Sequence, residues 1–311
     1  MSGRVIVVAG PTASGKTRLG IALARRLGGE IVSVDSMQVY RGMDIGTAKA
    51  TPAERAAAVH HMIDIADPRE DYSVSRYVEE ASAVCDRLLA AGRTPIIVGG
   101  TGLYIDSRLA GRAVSGRQEG DETLRRALGE EYDRIGGKAM REQLRAFDPE
   151  RAEKLHPGDR RRIIRAIEVY RLTGETISAH DRRTQALPPR YESARIHLNY
   201  RERADLYARI DARVDAMLRA GLFEEVEGLL ASGLSPSCTA MQAIGYKEAA
   251  RALNGEISRG EAAALIKQNS RRYAKRQLTW FSRAQDAHWI YWDKAPDPEA
   301  ALAEVSALLS T

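Results

Sequence analysis

The octapeptide Gly10-Pro11-Thr12-Ala13-Ser14-Gly15-Lys16-Thr17 joins two spaced glycines to a lysine and a hydroxyl, a set able to wrap backbone amides round an anion. The glycines let the chain curl so that successive N–H groups point into one hollow, Lys16 adds a positive charge, and the Thr17 hydroxyl can reach a Mg²⁺ ion. The chemistry implied for all eight residues is the grip of a pyrophosphate-like group. A second reactive set follows in Asp35-Ser36-Met37-Gln38-Val39-Tyr40, where the Asp35 carboxylate is able to take a proton. Helix capping and a water-bridged Mg²⁺ contact stay open for Asp35 at this point. Thr101, after Gly99-Gly100, brings a hydroxyl to the same region, with satisfaction of a loop amide as its simpler role.

These groups need elements to position them. Residues 5–9 are a continuous apolar run of the kind a strand buried on both faces requires, and Leu19, Ala22, Leu23 and Leu27 then recur at helical spacing until Gly28-Gly29. A second strand at 31–34 delivers Asp35 at its carboxyl end, where open α/β sheets place their ligands. The spacing predicts a helix over 75–91, with Val74, Val78, Ala81, Cys85 and Leu88 on one stripe, and a buried strand over 95–98. Such alternation predicts an α/β fold, a P-loop NTPase-like parallel sheet core flanked by helices. From Gly111 strands disappear, and 124–132, 139–147 and 160–171 read as helices. Residues 111–189 are therefore expected to form a helical insertion domain, with 1–110 and 190–311 as the core. After Leu187-Pro188-Pro189-Arg190 a strand resumes at 194–199, helices follow at 203–218, 223–231 and 260–283, and a last apolar run occupies 289–292.

Of the 311 residues, 44% are apolar and 29% charged, ordinary for a folded chain, and no run approaches the roughly 20 apolar residues of a membrane span. Met1-Ser2-Gly3-Arg4 runs directly into the first strand, so no signal peptide is read and a cytoplasmic location is expected. Cys85 and Cys238 lack CxxC partners, which argues against a disulfide framework or a zinc site. Nothing demands more than a monomer.

The net charge of +5 gathers in two clusters. In residues 160–170, helical spacing puts Arg161, Arg162 and Arg165 on one face and Ile163, Ile164, Ile167 and Tyr170 on another. Lys267, Arg271, Arg272, Lys275, Arg276 and Arg283 form the second, with no acid between them and Tyr273, Trp280 and Phe281 interleaved. Two such clusters beside a phosphate loop favour RNA over a merely solvated helix face with pairs such as Arg165 with Glu168.

The octapeptide, residues 34–49 from Val34-Asp35-Ser36 to Ala48-Lys49, Val98-Gly99-Gly100-Thr101-Gly102-Leu103-Tyr104, Ile244-Gly245-Tyr246-Lys247-Glu248 and Lys275-Arg276-Gln277-Leu278-Thr279-Trp280 together closely resemble the bacterial tRNA dimethylallyltransferases, over nearly the whole chain and in the right order. The resemblance implies transfer of a dimethylallyl group from its diphosphate to N6 of an adenine adjacent to the anticodon of certain tRNAs, with Mg²⁺ near Thr17. It implies Asp35 as general base and Thr101 assisting on the opposite side of the reacting centre, the adenine being flipped out to reach them. RNA contact is implied for Asp35, Ser36, Met37, Gln38 and Thr101, and for Arg125, Arg161, Arg162, Ile163, Ile164 and Arg165 in the insertion, which would act as a clamp on the anticodon stem-loop. The same holds for Gln242, Ala243, Ile244, Gly245, Tyr246 and Lys247, and for Lys275, Arg276, Gln277, Leu278, Thr279, Trp280, Phe281 and Ser282. Where the family commonly reads Asp-Pro-Gln-Arg this chain has Asp159-Arg160-Arg161-Arg162, which implies a phosphate contact at Arg161 in place of an amide contact. The competing readings are a P-loop small-molecule kinase, a free-adenylate isopentenyltransferase and a non-catalytic RNA-binding module.

Overall fold

The computed structural model describes residues 4–109, 121–186 and 188–310. The change of character expected at Gly111, and Leu187 of the expected loop, lie outside the described residues. The chain divides into two units, Met1–Arg108 with Tyr191–Thr311, and Leu109–Arg190.

In the first unit, β1 (Arg4–Ala9), β2 (Glu30–Val34), β3 (His60–His61), β4 (Pro95–Gly99), β5 (Glu192–Tyr200) and β6 (Ala287–Trp292) form one sheet in the order β3-β2-β4-β1-β5-β6. Every pairing is parallel, with Val8 opposite both Val98 and Ile196. The apolar runs of β1 and β4 suit this central place, because a strand covered by helices on both faces has no polar side. The helices of this unit up to the insertion are α1 (Lys16–Leu27), α2 (Pro52–Ala57), α3 (Val74–Ala90) and α4 (Gly102–Leu109). Leu19 and Leu23 of α1 pack without exposed surface into a core with Ile6, Val8, Ile96, Val98, Ile196 and Leu198. Burial of each such side chain stabilises by about 1.5–3 kcal/mol, and here it also fixes the helix turn that carries Lys16.

The second unit holds α5 (Glu122–Arg145), α6 (Pro149–Lys154), α7 (Arg160–Thr173) and α8 (Ile177–Gln185). The two helices expected at 124–132 and 139–147 are one element broken at Gly136, whose φ of 81° is open to glycine and strained for other residues. Leu128, Met140 and Leu144 of α5 bury against Ile163, Ile164 and Ile167 of α7. Neither α6 nor α8 was expected. Both are short, and each is set by a cap, Asp148 accepting from the Arg151 amide and Thr176 from the Ala179 amide.

The chain returns to the first unit as β5 and then α9 (Arg203–Arg219), α10 (Leu222–Ala231), a 3₁₀ turn (Ala240–Gln242), α11 (Tyr246–Leu253), α12 (Arg259–Phe281), β6 and α13 (Pro298–Leu309). Among the described residues no helix is long and apolar enough to cross a membrane. Because the sheet is wholly parallel, the carboxyl ends of all its strands lie along one edge. Residues 10–15 follow β1, Thr101 lies two residues beyond β4, and Asp35 follows β2, so the sheet order sets the three side by side.

Candidate active site

The loop after β1 is shaped by two left-handed residues, Ala13 (φ 64°) and Gly15 (φ 85°), the second of which opens α1. An alanine in that region stores strain of about 1–3 kcal/mol that the surroundings must offset. They do so by taking the loop's carbonyls. Pro11 O accepts from Ser14 Oγ at 2.8 Å and from Lys16 Nζ at 2.6 Å, the Tyr200 hydroxyl donates to Ala13 O at 3.2 Å, and Trp292 Nε1 donates to Ser14 O at 2.9 Å. With the carbonyls held, amides are left to face an anion. The Thr12 amide is an exception, since it donates to Gln277 Oε1 at 2.9 Å.

This loop lines a cavity of about 510 Å³ together with Ser33, Asp35, Gln38, His60, Arg209, Arg213, Tyr273 and Gln277. Protein packed round Lys16 lowers its pKa to about 7, burial contributing most, the Arg213 charge next, and Asp35 opposing both. Arg213 is pushed down from its ordinary value chiefly by burial, again against Asp35. Lys16 and Arg213 thus lie crowded at one wall, with Asp35 facing both and Glu54 also offsetting Arg213, an arrangement that a polyanion would relieve. The sequence alone leaves open whether Arg209 or Arg213 reaches the pyrophosphate. On α9 they are four residues apart, one helical turn, and that spacing was the available signal.

Asp35 is held by its own loop: Oδ1 accepts from the Met37 amide at 2.9 Å and the Gln38 amide at 3.4 Å. Among the described residues Oδ2 takes no hydrogen bond, so the carboxylate is aimed with one oxygen fixed and the other available. Thr101 lines neither this cavity nor the next. Its Oγ1 is buried without a hydrogen-bond partner, close enough to the Tyr273 phenol to lower its pKa against the effect of burial.

A second cavity of about 310 Å³ is lined by Asp35, Ser36, Met37, Gln242, Ala243, Ile244, Gly245, Tyr273 and Arg276, among others. One wall is the turn at 44–46, gripped by Glu225, whose carboxylate accepts from the amides of Asp44 (2.9 Å), Ile45 (2.8 Å) and Gly46 (3.2 Å) and from the Tyr246 hydroxyl (2.5 Å). Gly46 is required there, since an added Cβ would come within 2.4 Å of the Tyr246 ring.

The structure therefore gathers Asp35, Ser36, Met37, Gln242–Gly245 and Arg276 of the expected RNA contacts at one cavity and leaves Lys247, Lys275, Thr279 and Ser282 exposed. It corrects others. Gln38 is turned inward, accepting from Ser33 Oγ and donating to Thr47 O and Ala48 O. Tyr246, Gln277 and Phe281 are buried, Leu278 packs on the sheet's core, and Trp280 Nε1 donates to Asp106 Oδ2 at 2.7 Å, so these side chains brace the frame. In the second unit Ile163 and Ile164 are core residues with no face to offer RNA. Arg125 and Arg165 both pair with the fully buried Glu168, at 3.0 and 2.8 Å, while Arg161 and Arg162 are exposed and without an acidic partner among the described residues. On α12 the acids absent from the sequence cluster arrive from α9, Lys267 pairing with Asp215 at 2.6 Å and Arg271 with Asp211 at 2.5 Å. Linear charge counting could not anticipate either pairing.

Comparison with known proteins gives the following. A family signature described as IPP transferase matches residues 38–284, and one described as isopentenyl transferase matches residues 3–64. The chain is 48% identical over 308 residues to a tRNA dimethylallyltransferase of Geobacillus thermodenitrificans, covering 99% of this chain and 96% of that protein. It is 45% identical over 302 residues to one of Pelotomaculum thermopropionicum, covering 97% and 95%. Among solved structures it is similar to a full-length tRNA isopentenylpyrophosphate transferase of Bacillus halodurans, with a TM-score of 0.72 and 39% identity over 100% of this chain and 96% of that one. It is also similar to a eukaryotic dimethylallyltransferase captured acting on tRNA, with a TM-score of 0.83 and 28% identity over 99% and 80%.

Proposed function

This chain belongs to the IPP transferase family, and from that premise we propose that it transfers a dimethylallyl group from dimethylallyl diphosphate to the exocyclic N6 of an adenine next to a tRNA anticodon, releasing pyrophosphate. The observation that carries the reading is that two cavities, one walled by the phosphate loop and one by Ser36, Met37 and residues 242–245, have Asp35 in common. A small-molecule kinase would also need a donor and an acceptor site, and membership of the IPP transferase family is what favours prenyl transfer over it.

The loop amides, Lys16 and Arg213 take the diphosphate in the first cavity. Its negative charge favours the protonated form of Lys16, so the depressed pKa is restored as the anion arrives. A purine extruded from the anticodon loop enters the second cavity and presents N6 to Asp35. The C–O bond to the diphosphate breaks with its electron pair leaving on pyrophosphate, the N6 lone pair forms the new C–N bond, and the N6 proton passes to Asp35 Oδ2. Asp35 Oδ1, tied to two amides, keeps the acceptor in place throughout. Thr101 brings its unpaired hydroxyl to the same region from the end of β4.

Thr17 fits a Mg²⁺ role: its hydroxyl opens on the phosphate-loop cavity, and among the described residues no group of three acidic, histidine or cysteine side chains forms a dedicated cage, as expected of an ion bound mainly through substrate phosphates and water. When bound, the ion would neutralise charge on the departing pyrophosphate. Arg161 and Arg162 in the helical unit, and Arg272, Lys275 and Arg276 on α12, supply contacts to the RNA phosphates.

The test is incubation with Mg²⁺, labelled dimethylallyl diphosphate and either tRNA, free AMP or no acceptor. Label in tRNA alone is expected; label in AMP would replace this reading with that of a free-adenylate enzyme. Asp35→Asn should cut the single-turnover rate about a hundredfold or more with both substrates still bound, and an undiminished rate would remove Asp35 from the role of base.

A further inference from the structure

The two cavities share five residues, Thr12, Asp35, Thr47, Arg213 and Tyr273. Tyr273 is the only phenylalanine, tyrosine or tryptophan lining either cavity among the described residues, and it lines both. Its position is tightly set. One turn further along α12, Gln277 donates to Gly100 O at 3.0 Å and accepts from the Thr12 amide, which locks the helix in register over the phosphate loop and the end of β4. Ala274, also on α12, is fully buried. The Arg276 guanidinium stands 5.6 Å over the Tyr273 ring, so the ring already accepts a cation; Arg276 lines the second cavity and not the first.

We propose that the Tyr273 ring is a catalytic surface, the aromatic wall against which the electron-poor allylic group passes from the diphosphate in one cavity to the purine in the other. The inference rests on the transfer reaction proposed above. A group that leaves a diphosphate in the first cavity and joins a base beside Asp35 in the second must cross their junction, and the junction's one aromatic side chain is Tyr273. As the C–O bond weakens, positive charge spreads over the allylic carbons. An aromatic face attracts such a cation without being able to capture it, which water or a free carboxylate at the same place would do. The bond changes are those already given, and Tyr273 neither gains nor loses a proton. Burial, then Asp35, pushes its phenol up to about 12, so it stays neutral through the reaction.

The test replaces Tyr273 by phenylalanine, 4-fluorophenylalanine and 3,4,5-trifluorophenylalanine, which preserve the ring's shape while draining its negative face, and adds Tyr273→Leu. Single-turnover transfer to tRNA is measured with the affinities for pyrophosphate and tRNA. Tyr273→Phe should stay within about threefold of the parent, the rate should fall stepwise with each fluorination to about a tenth, and Tyr273→Leu should lose about thirtyfold, with both affinities within threefold. A purely structural role would not respond to fluorine. Equal rates across the fluorinated series overturn the inference and leave the transferase reading standing, whereas failure of the parent protein to label tRNA overturns that reading itself. Should Tyr273→Leu not fold, the fluorinated series decides alone.

Discussion

Gln277→Ala is the sharpest probe of how the site is held together. The Gln277 side chain is 6% exposed, accepts from the Thr12 amide at 2.9 Å and donates to Gly100 O at 3.0 Å, so it ties α12 to the loops after β1 and β4 at once. Truncation leaves a buried N–H and a buried C=O unmatched, each worth about 1–3 kcal/mol, and the vacated volume adds to that. A loss of about 3–5 kcal/mol follows, or roughly 6–20 °C in melting temperature for a domain of this size. Pyrophosphate affinity should fall with it, because the freed Thr12 amide no longer fixes the curvature of the loop. Gln277→Glu sharpens the test: the carboxylate still accepts from Thr12 but opposes Gly100 O, so its deficit should shrink as the pH falls and the acid becomes able to donate. Thermal melts across pH and calorimetric titration with pyrophosphate read both effects. A Gln277→Ala protein that melts within about 2 °C of the parent, binds pyrophosphate equally well and loses only tRNA affinity would refute the bracing argument and restore Gln277 to the RNA surface.

Three further outcomes are expected. With a folded-state pKa near 7 against the ordinary 10.5, Lys16 makes the unfolded chain bind more protons between those values, so the unliganded protein should gain stability as pH rises from 7 toward 10; Lys16→Met should abolish that rise and be more stable than the parent at pH 7 by up to about 4 kcal/mol in denaturant melts. Arg162→Ala should reduce the slope of log tRNA affinity against log salt by roughly one without altering dimethylallyl diphosphate affinity, whereas Arg165→Ala should lower the melting temperature, because Glu168 is fully buried and would lose one of its two partners. Glu225→Gln places an amide among four donors, and should cost about 2–4 kcal/mol in thermal melts while weakening tRNA binding and sparing pyrophosphate affinity.

What the sequence disclosed was local. The phosphate loop, the strand ending in Asp35 and the buried run before Gly99 are each specified by a few consecutive residues, and all three elements form where the pattern puts them. The helical character of the insertion was equally legible from its spacing, which left 133–138 between two helices; the structure runs them on as one element whose break, at Gly136, falls inside that interval. Charge was the poorer guide. Lys267 and Arg271 looked unbalanced until α9 supplied Asp211 and Asp215, and Arg125 looked free until the fold set it against Glu168, the acid that helical spacing had offered to Arg165 alone. In both cases the partner that was missed lies on another helix, α9 for Lys267 and Arg271 and α7 for Arg125. Gln277 and Tyr273 were hidden for the same reason: their roles come from where α12 crosses the sheet edge, not from their neighbours in sequence.

That distinction bears on how the site works. Residues read from sequence, Lys16 and Asp35, are the ones whose chemistry is intrinsic, a charge and a base. Arg213, Gln277 and Tyr273, whose places only the fold shows, set the conditions round them: Arg213 adds to the burial that depresses Lys16, Gln277 fixes the loop, and Tyr273 lines both cavities. Without an anion, Lys16 and Arg213 are held together at a cost that burial increases and that Asp35 and Glu54 offset only in part. A diphosphate in the first cavity would relieve both cations at once. Of these charges Asp35 and Arg213 lie on the wall the two cavities have in common and Lys16 on the first alone, so an anion in the first cavity acts on the second through that shared wall.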